Sequence, residues 1–360
     1  MYRLAVDSLI SNAIGHKIYA NLAIYQPFLP SLLMSSKPVI VVPDYLTECA
    51  IEREVYGPEA TIRLLGATDE SQILEAVEDA DVVLLYHDIV LTDRSISRMR
   101  RCRAIVRCGV GFNNIDIKAA GNAGIVVCNV PDYGTEDVAD HALMLMLAST
   151  RKLVPSHEAI RQGQWDSGIV FGTPRLRGKT LGLIGCGRIG TAMALRARAL
   201  GMEIAFYDPH VRPGTDKMLG IRRVWTLEDL MRQSPFISLH CWLDEGSRHI
   251  INNDSLKHCV QGTVLVNTAR GGCVDESALL AALEDGRLAG AGLDVSEEEP
   301  VQTQALRMHP RVVWTPHVAY YSVEGYREMR LKGAEEGLRA ITGRALLNPV
   351  NKSFIRESRT

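Results

Sequence analysis

Short apolar runs alternate with amphipathic stretches along almost the whole of this sequence. From Pro38 they read PVIVVPD (38–44), TIRLLG (61–66), ADVVLLYH (80–87), AIVRCGVG (104–111) and GIVVCNV (124–130). Runs that are apolar throughout, not on alternate residues, belong to strands covered on both faces, and such strands pair in parallel with helices between them. SQILEAVED (71–79) has the pattern of one such helix. A long helical pattern from Asp137 to about Gln164, interrupted by Pro155, precedes a second series. That series is TLGLIGCG (180–187), EIAFYD (203–208), FISLHC (236–241), TVLVNTA (263–269), GAGLDV (290–295) and VVWTPH (312–317). Two strand–helix series in 360 residues predict two doubly wound α/β domains, each with its own core. Residues 324–342 have the length and charge of one amphipathic helix. Residues 1–37 fit neither series. Met34 looks like an ordinary translation start, so 1–33 are expected to be a peripheral extension.

Composition removes several function classes. With 40 Lys+Arg against 42 Asp+Glu and a formal net charge of −2, there is no electrostatic footprint for nucleic acid or an anionic membrane. The longest uncharged stretch, 18–36, carries Asn21, Gln26, Pro27 and Pro30 and makes a poor transmembrane helix. Arg3 alone before Asp7 is weak for a signal peptide. The eight cysteines form no CxxC pair, and several lie inside apolar runs. They read as thiols of a reducing compartment, with no disulfide frame and no zinc site. The expectation is a soluble, cytoplasmic protein without a metal.

The sharpest motif is Gly185-Cys-Gly-Arg-Ile-Gly190, which follows the run TLGLI and opens a helical stretch. In that setting Gly185 permits the tight turn and Gly187 lets the backbone approach a pyrophosphate. Gly190 allows close helix–strand packing, and the helix N-terminus holds the phosphate charge. Asp208 ends the next strand, eighteen residues past Gly190. It would accept hydrogen bonds from ribose hydroxyls and repel a 2′-phosphate, favouring NAD; nearby Arg212 is the group that would suit NADP. Cys241 is expected to pack beside the adenosine. Arg270, Glu299 and His317 then stand at the C-terminal ends of later strands, where open α/β sheets bind ligands. Hydride transfer between NAD and a hydroxy acid needs such a set. Its parts are a cation for the carboxylate and carbonyl, an acid/base for the hydroxyl proton, and an anion that orients this base and favours its protonated form. Arg270 suits the first role because its fork binds planar oxygens bidentately, His317 the second and Glu299 the third. Asp140-His141 reads instead as a satisfied pair on a helix. A non-redox NAD-binding hydrolase would leave the trio unexplained.

With VRCGVGFNNID (106–116), GLIGCGRIG (182–190), LVNTARGGCVDESAL (265–279), AGLDVSEEEP (291–300) and TPHVAYYS (315–322), the chain resembles the D-isomer-specific 2-hydroxyacid dehydrogenase family over residues 38–350. YHDIVLTD (86–93), FYDP (206–209) and EGLRAITGR (336–344) are similar to its C-terminal binding protein branch, which joins NAD-linked dehydrogenase chemistry to a role as a transcriptional corepressor. The resemblance implies a flavodoxin-like substrate domain built from 38–133 and 323–350, a Rossmann NAD-binding domain at 134–322, and a cleft between them. It implies Arg270, Glu299 and His317 as catalytic residues. It implies Gly185, Gly187, Arg188, Ile189, Gly190, Asp208, Cys241, Thr268, Arg270, Asp294 and His317 as cofactor contacts. His87, Arg107, Val110, Gly111, Arg270 and Tyr320 would line the substrate site, with the amides of Val110 and Gly111 cradling its carboxylate. It further implies a homodimer joined through an arm at 134–165. The function so implied is an NAD-dependent D-2-hydroxyacid dehydrogenase acting on a small 2-ketoacid or 2-hydroxyacid; the alternative is an NAD(H)-sensing dimeric corepressor. Three positions depart from the pattern. Asn113 stands where Asp is usual, Tyr320 where the corepressor branch has Trp, and Ser296 where a larger residue is usual.

Overall fold

The structure, a computed structural model, describes residues 37–355. The expected extension, except for Lys37, lies outside the described residues. The apolar runs of the first series become β1 (Val39–Val42), β2 (Thr61–Leu64), β3 (Val82–Leu85), β4 (Ala104–Arg107) and β5 (Val126–Asn129). They form a parallel sheet in the order β2-β1-β3-β4-β5, the flavodoxin-like order. The second series gives β6 (Thr180–Ile184), β7 (Glu203–Tyr207), β8 (Arg222–Arg223), β9 (Phe236–Leu239), β10 (Thr263–Asn267), β11 (Leu288–Leu293) and β12 (Val312–Trp314). Their order is β12-β11-β10-β9-β6-β7-β8, again parallel throughout. This is the dinucleotide-binding order with one strand added at an edge.

Seven helices of seven residues or more are present among the described residues: α1 (Ala50–Tyr56), α2 (Thr135–Thr150), α3 (Leu153–Arg161), α4 (Arg188–Ala199), α5 (Leu227–Gln233), α6 (Glu276–Glu284) and α7 (Val323–Ile341). Apolar side chains cover both faces of the second sheet. One cluster joins α2 and α4 to β6, and the other joins α5 and α6 to β9–β11. A third cluster surrounds β1, β3, β4 and β5. Although last in the chain, α7 packs on α1, β3 and β4 of the first sheet. Arg330 is buried at this contact and holds Glu52 bidentately, Nε to Oε1 at 2.8 Å and Nη2 to Oε2 at 2.6 Å. Arg330 also pairs with Glu48, so it is removal of the arginine that would strand the buried Glu52 charge, a loss of about 3–5 kcal/mol.

Three local expectations are corrected. The helical pattern at 137–164 breaks at Lys152, whose φ is 52°, not at Pro155. Pro155 sits in the first turn of α3, where its missing N–H has no intrahelical partner to lose. SQILEAVED does not form an α-helix: a 3₁₀ turn at Glu70–Ile73 is followed by turns. β8 went unread because two arginines at a sheet edge carry no apolar pattern.

Candidate active site

In the second sheet the chain winds outward from β6 in both directions, so the switch point lies between β6 and β9. Two glycines of the loop after β6 are dictated by space. Gly185 has φ +95°, and a Cβ there would fall 2.6 Å from Cys241 N; a Cβ on Gly190 would fall 2.3 Å from the Gly185 carbonyl oxygen. Gly187 is the N-cap of α4 and makes no side-chain cap bond, so the first amides of the helix, around Arg188 and Ile189, remain available to an anion. Asp208 is buried and ties this loop to the turn after β7. Its Oδ2 accepts from Cys186 N at 2.8 Å, and its Oδ1 from His210 N at 2.8 Å and Val211 N at 3.2 Å. Oδ2 keeps a lone pair for a hydroxyl. Arg212 is exposed, whereas Arg223 donates to the Asp208 carbonyl at 2.7 Å and lies over the Trp225 ring. The Cys241 thiol faces Cys273 at 3.9 Å. Thr268 Oγ1 and His240 Nδ1 are buried without a hydrogen-bond partner among the described residues. A Gly-rich turn opening a helix, an acid at the next strand end and an orphaned buried hydroxyl just after β10 fit a dinucleotide.

The predicted trio stands on loops leaving β10, β11 and β12. Buried Asn267 turns the chain after β10: its Nδ2 donates to the Arg270 carbonyl at 2.9 Å and its Oδ1 accepts from Ala269 N at 3.0 Å. This presents Arg270, whose Nη1 donates to the Ala269 carbonyl at 2.6 Å and whose Nε reaches Asn113 Oδ1 at 3.4 Å. A Cβ on Gly111 would fall 1.5 Å from Arg270 Nη2, so the guanidinium rests directly on the loop after β4. His317 Nδ1 and Glu299 Oε2 are 2.7 Å apart. Burial opposes ionisation of Glu299, but the His317 hydrogen bond and charge, the Ser296 amide and Arg270 outweigh it and hold its carboxyl below the usual range.

Two buried acids hold these loops. His317 has φ 54°, unusual for a side-chain-bearing residue. Its N–H donates to the Asp294 carbonyl, while the Asp294 carboxylate accepts from Thr315 Oγ1 at 2.5 Å, Val318 N at 3.0 Å and Ala319 N at 2.9 Å. His141 Nε2 is 2.8 Å from Thr315 Oγ1, and Asp140 pairs with Arg196. Glu276 lies at the start of α6 and accepts from Ser296 Oγ at 2.5 Å, Glu297 N at 3.0 Å and Thr303 Oγ1 at 3.0 Å. It therefore grips both ends of the loop that carries Glu299. Ser296, small and hydroxylated, supplies one of these donors. A cavity of about 540 Å³ opens beside Glu299 and His317, lined also by Val295, Pro300, Trp314 and Thr315.

From the first sheet, His87 and the loop after β4 approach His317 and Arg270. The His87 ring is 6.1 Å from His317 and 4.9 Å from Tyr320, and Tyr45 Oη is 3.4 Å from His87 Nδ1. Burial, then the Arg107, His317 and Arg270 charges, push His87 down to about 3, so it is neutral at ordinary pH. Asn129 Nδ2 donates to the Val110 carbonyl at 2.6 Å and anchors the loop 108–111. His87, Arg107, Gly111, Tyr320, Arg270, Glu299 and His317 thus meet in one cleft, while Asp208 and Gly185–Gly190 cluster around the start of α4. Sequence reasoning missed Tyr45, Thr315, Glu276 and Tyr133, a buried phenol within electrostatic reach of Arg107 and Arg270, and gave His141 no role at the site. Thr315 and Glu276 fall inside the motifs TPHVAYYS and LVNTARGGCVDESAL, but their roles depend on partners outside those motifs.

Residues 143–319 match the family model described as D-isomer specific 2-hydroxyacid dehydrogenase, NAD binding domain. The chain is 37% identical over 341 residues to C-terminal-binding protein 1 of Caenorhabditis elegans, an alignment covering 89% of this chain and 46% of that protein. It is 35% identical over 312 residues to D-3-phosphoglycerate dehydrogenase of Methanocaldococcus jannaschii, covering 87% and 59%. The chain thus spans about half the length of these curated relatives. A glyoxylate reductase structure from Paecilomyes thermophila superposes with a TM-score of 0.80 at 31% identity, covering 89% of this chain and 100% of that one.

Proposed function

The chain belongs to the D-isomer-specific 2-hydroxyacid dehydrogenase family, and on that premise we propose that it interconverts a D-2-hydroxy acid and its 2-oxo acid with NAD. A bound nicotinamide would supply or accept the hydride. Arg270 holds the substrate carboxylate and polarises the carbonyl, with the Val110 and Gly111 amides beside it. In reduction, His317 gives a proton to the ketone oxygen, and Glu299 orients it and favours its charged form. Arg107, His87 and Tyr320 line the substrate. Gly185, Gly187, Arg188, Ile189 and Gly190 receive the pyrophosphate, Asp208 the ribose, and Thr268, Cys241 and Asp294 the rest of the cofactor. On this reading 38–133 and 323–350 form the substrate domain and 134–322 the nucleotide domain.

The observation that carries the proposal is the His317–Glu299 pair at 2.7 Å in the same cleft as an Arg270 guanidinium that has no ion pair among the described residues. Loss of NADH absorbance over a panel of 2-oxo acids tests it. His317→Ala is expected to lower kcat by about 10²–10⁴ with NADH binding retained. NADPH is expected to serve at least about tenfold less efficiently than NADH, because a 2′-phosphate would face Asp208. Unchanged kcat in His317→Ala would remove the assignment.

The similarity to C-terminal-binding protein 1 favours a second reading, an NAD(H)-sensing dimeric corepressor. Recovery of short-peptide partners only with NADH present, together with negligible turnover, would select it. Either reading includes a homodimer. No helix among the described residues is long and apolar enough to cross a membrane, and the compartment we infer is the cytoplasm.

A further inference from the structure

Two guanidiniums share the cleft, and neither has a carboxylate of its own. Arg107, at the end of β4, is 7% exposed; its Nη1 donates to the Cys108 carbonyl at 2.8 Å, and its Nε is buried without a partner. Arg270 donates only to neutral oxygens, those of Ala269 and Asn113. No ion pair reaches either one among the described residues. Both rest on one short loop. A Cβ on Gly109 would fall 1.5 Å from Arg107 Nη1, just as one on Gly111 would meet Arg270 Nη2. Cα atoms two residues apart are at most roughly 7 Å from each other, so the two cations flank a single stretch of backbone.

The groups around them do not neutralise this charge. His87 is uncharged, Tyr133 and Tyr320 are held protonated by burial, and Glu299, whose charge reaches Arg270, is committed to His317. Repulsion from Arg107 adds to burial in disfavouring the Arg270 charge. A planar guanidinium suits carboxylate and phosphate alike, and one substrate carboxylate would balance only one of the two.

We propose that the substrate is a 2-oxo acid carrying a second anionic group, carboxylate or phosphate, at its far end. Arg270 takes the carboxylate next to the ketone, and Arg107 takes the distal anion. This rests on the dehydrogenase reading above and names the substrate class within it.

The test compares kcat/KM for NADH-dependent reduction of oxaloacetate, 2-oxoglutarate and the phosphate ester of hydroxypyruvate with that of pyruvate and 2-oxobutyrate. Wild type is expected to favour dianions by about ten- to a hundredfold, the range of one charge-assisted hydrogen bond. Arg107→Met should lower dianion efficiency by that factor more than monoanion efficiency, and Arg107→Lys should recover part of the difference. The dicarboxylate and phosphate arms identify which anion Arg107 meets. NADH titration and melting of each variant confirm that it folds. A preference for monoanions, or an equal loss for both classes in Arg107→Met, overturns the proposal. Calorimetric titration of 2-oxoglutarate against 2-oxopentanoate into the NAD⁺ complex separates the two readings. Dianion binding that Arg107→Met weakens, without turnover of any 2-oxo acid, rejects the dehydrogenase reading and keeps the dianion site. Turnover without that discrimination does the reverse.

Discussion

His317 and Glu299 show how far single residues could be read. Arg270 and His317 were visible because each follows an apolar strand run by a few residues, and Glu299 because it stands in an acidic run on the loop after another such strand. The acids that hold their loops were not. Glu276 looks like an ordinary helix-start acid, and His141 like one polar position on a helix, because the partners of both lie far away in sequence. Glu299 yields the sharpest test. Its carboxyl is held below the usual range near 4.5, so its charge is present above that value and is lost only as the pH falls below it. The Glu299 charge is therefore constant across the alkaline side of the pH profile. Glu299→Gln keeps a hydrogen bond to His317 but removes the charge that favours its protonated form. The alkaline limb of kcat/KM for ketoacid reduction should then move to lower pH. Coinciding limbs in wild type and variant would mean that Glu299 does not tune His317.

Elements were legible where their apolar period was long and illegible where a short-range signal had to set a boundary. Both parallel series follow from runs buried on both faces. The break at Lys152 is a backbone conformation without a residue signature, and the two-residue β8 exists only through its pairing with β7. The loop from Ser296 to Thr303 is a similar case, since its shape depends on one side chain of α6. Removing that side chain in Glu276→Ala strands the Ser296 hydroxyl, the Glu297 amide and the Thr303 hydroxyl, with a stability loss on the order of 2–4 kcal/mol. If Glu276 positions Glu299, kcat should also fall and the alkaline limb should shift as it does in Glu299→Gln, with NADH affinity kept. A lowered Tm with an unmoved pH profile would make Glu276 structural only.

At the scale of the molecule, the number of sheets could be counted from the sequence, but the return of α7 to the first sheet was available only through family resemblance. Nothing in its amphipathic pattern names the surface it covers. The same limit applies to α3 and the turn after it. These present Leu153, Ile160, Trp165 and Phe171 outward, with Trp165 93% and Phe171 73% exposed. Apolar side chains of this size in one segment mark a surface that a partner covers. The segment continues directly from α2, which is packed in the nucleotide-binding half, so in the proposed homodimer a second copy of that half would be the occupant. Trp165→Asp combined with Phe171→Asp should then shift sedimentation from dimer to monomer at micromolar concentration and make Tm fall with dilution. Affinity for NADH should stay close to wild type, because the Gly185–Gly190 loop and Asp208 are held by bonds within their own chain. A wild-type protein that already sediments as a monomer, or a double variant that stays dimeric, would place the interface elsewhere and leave this apolar segment for another partner.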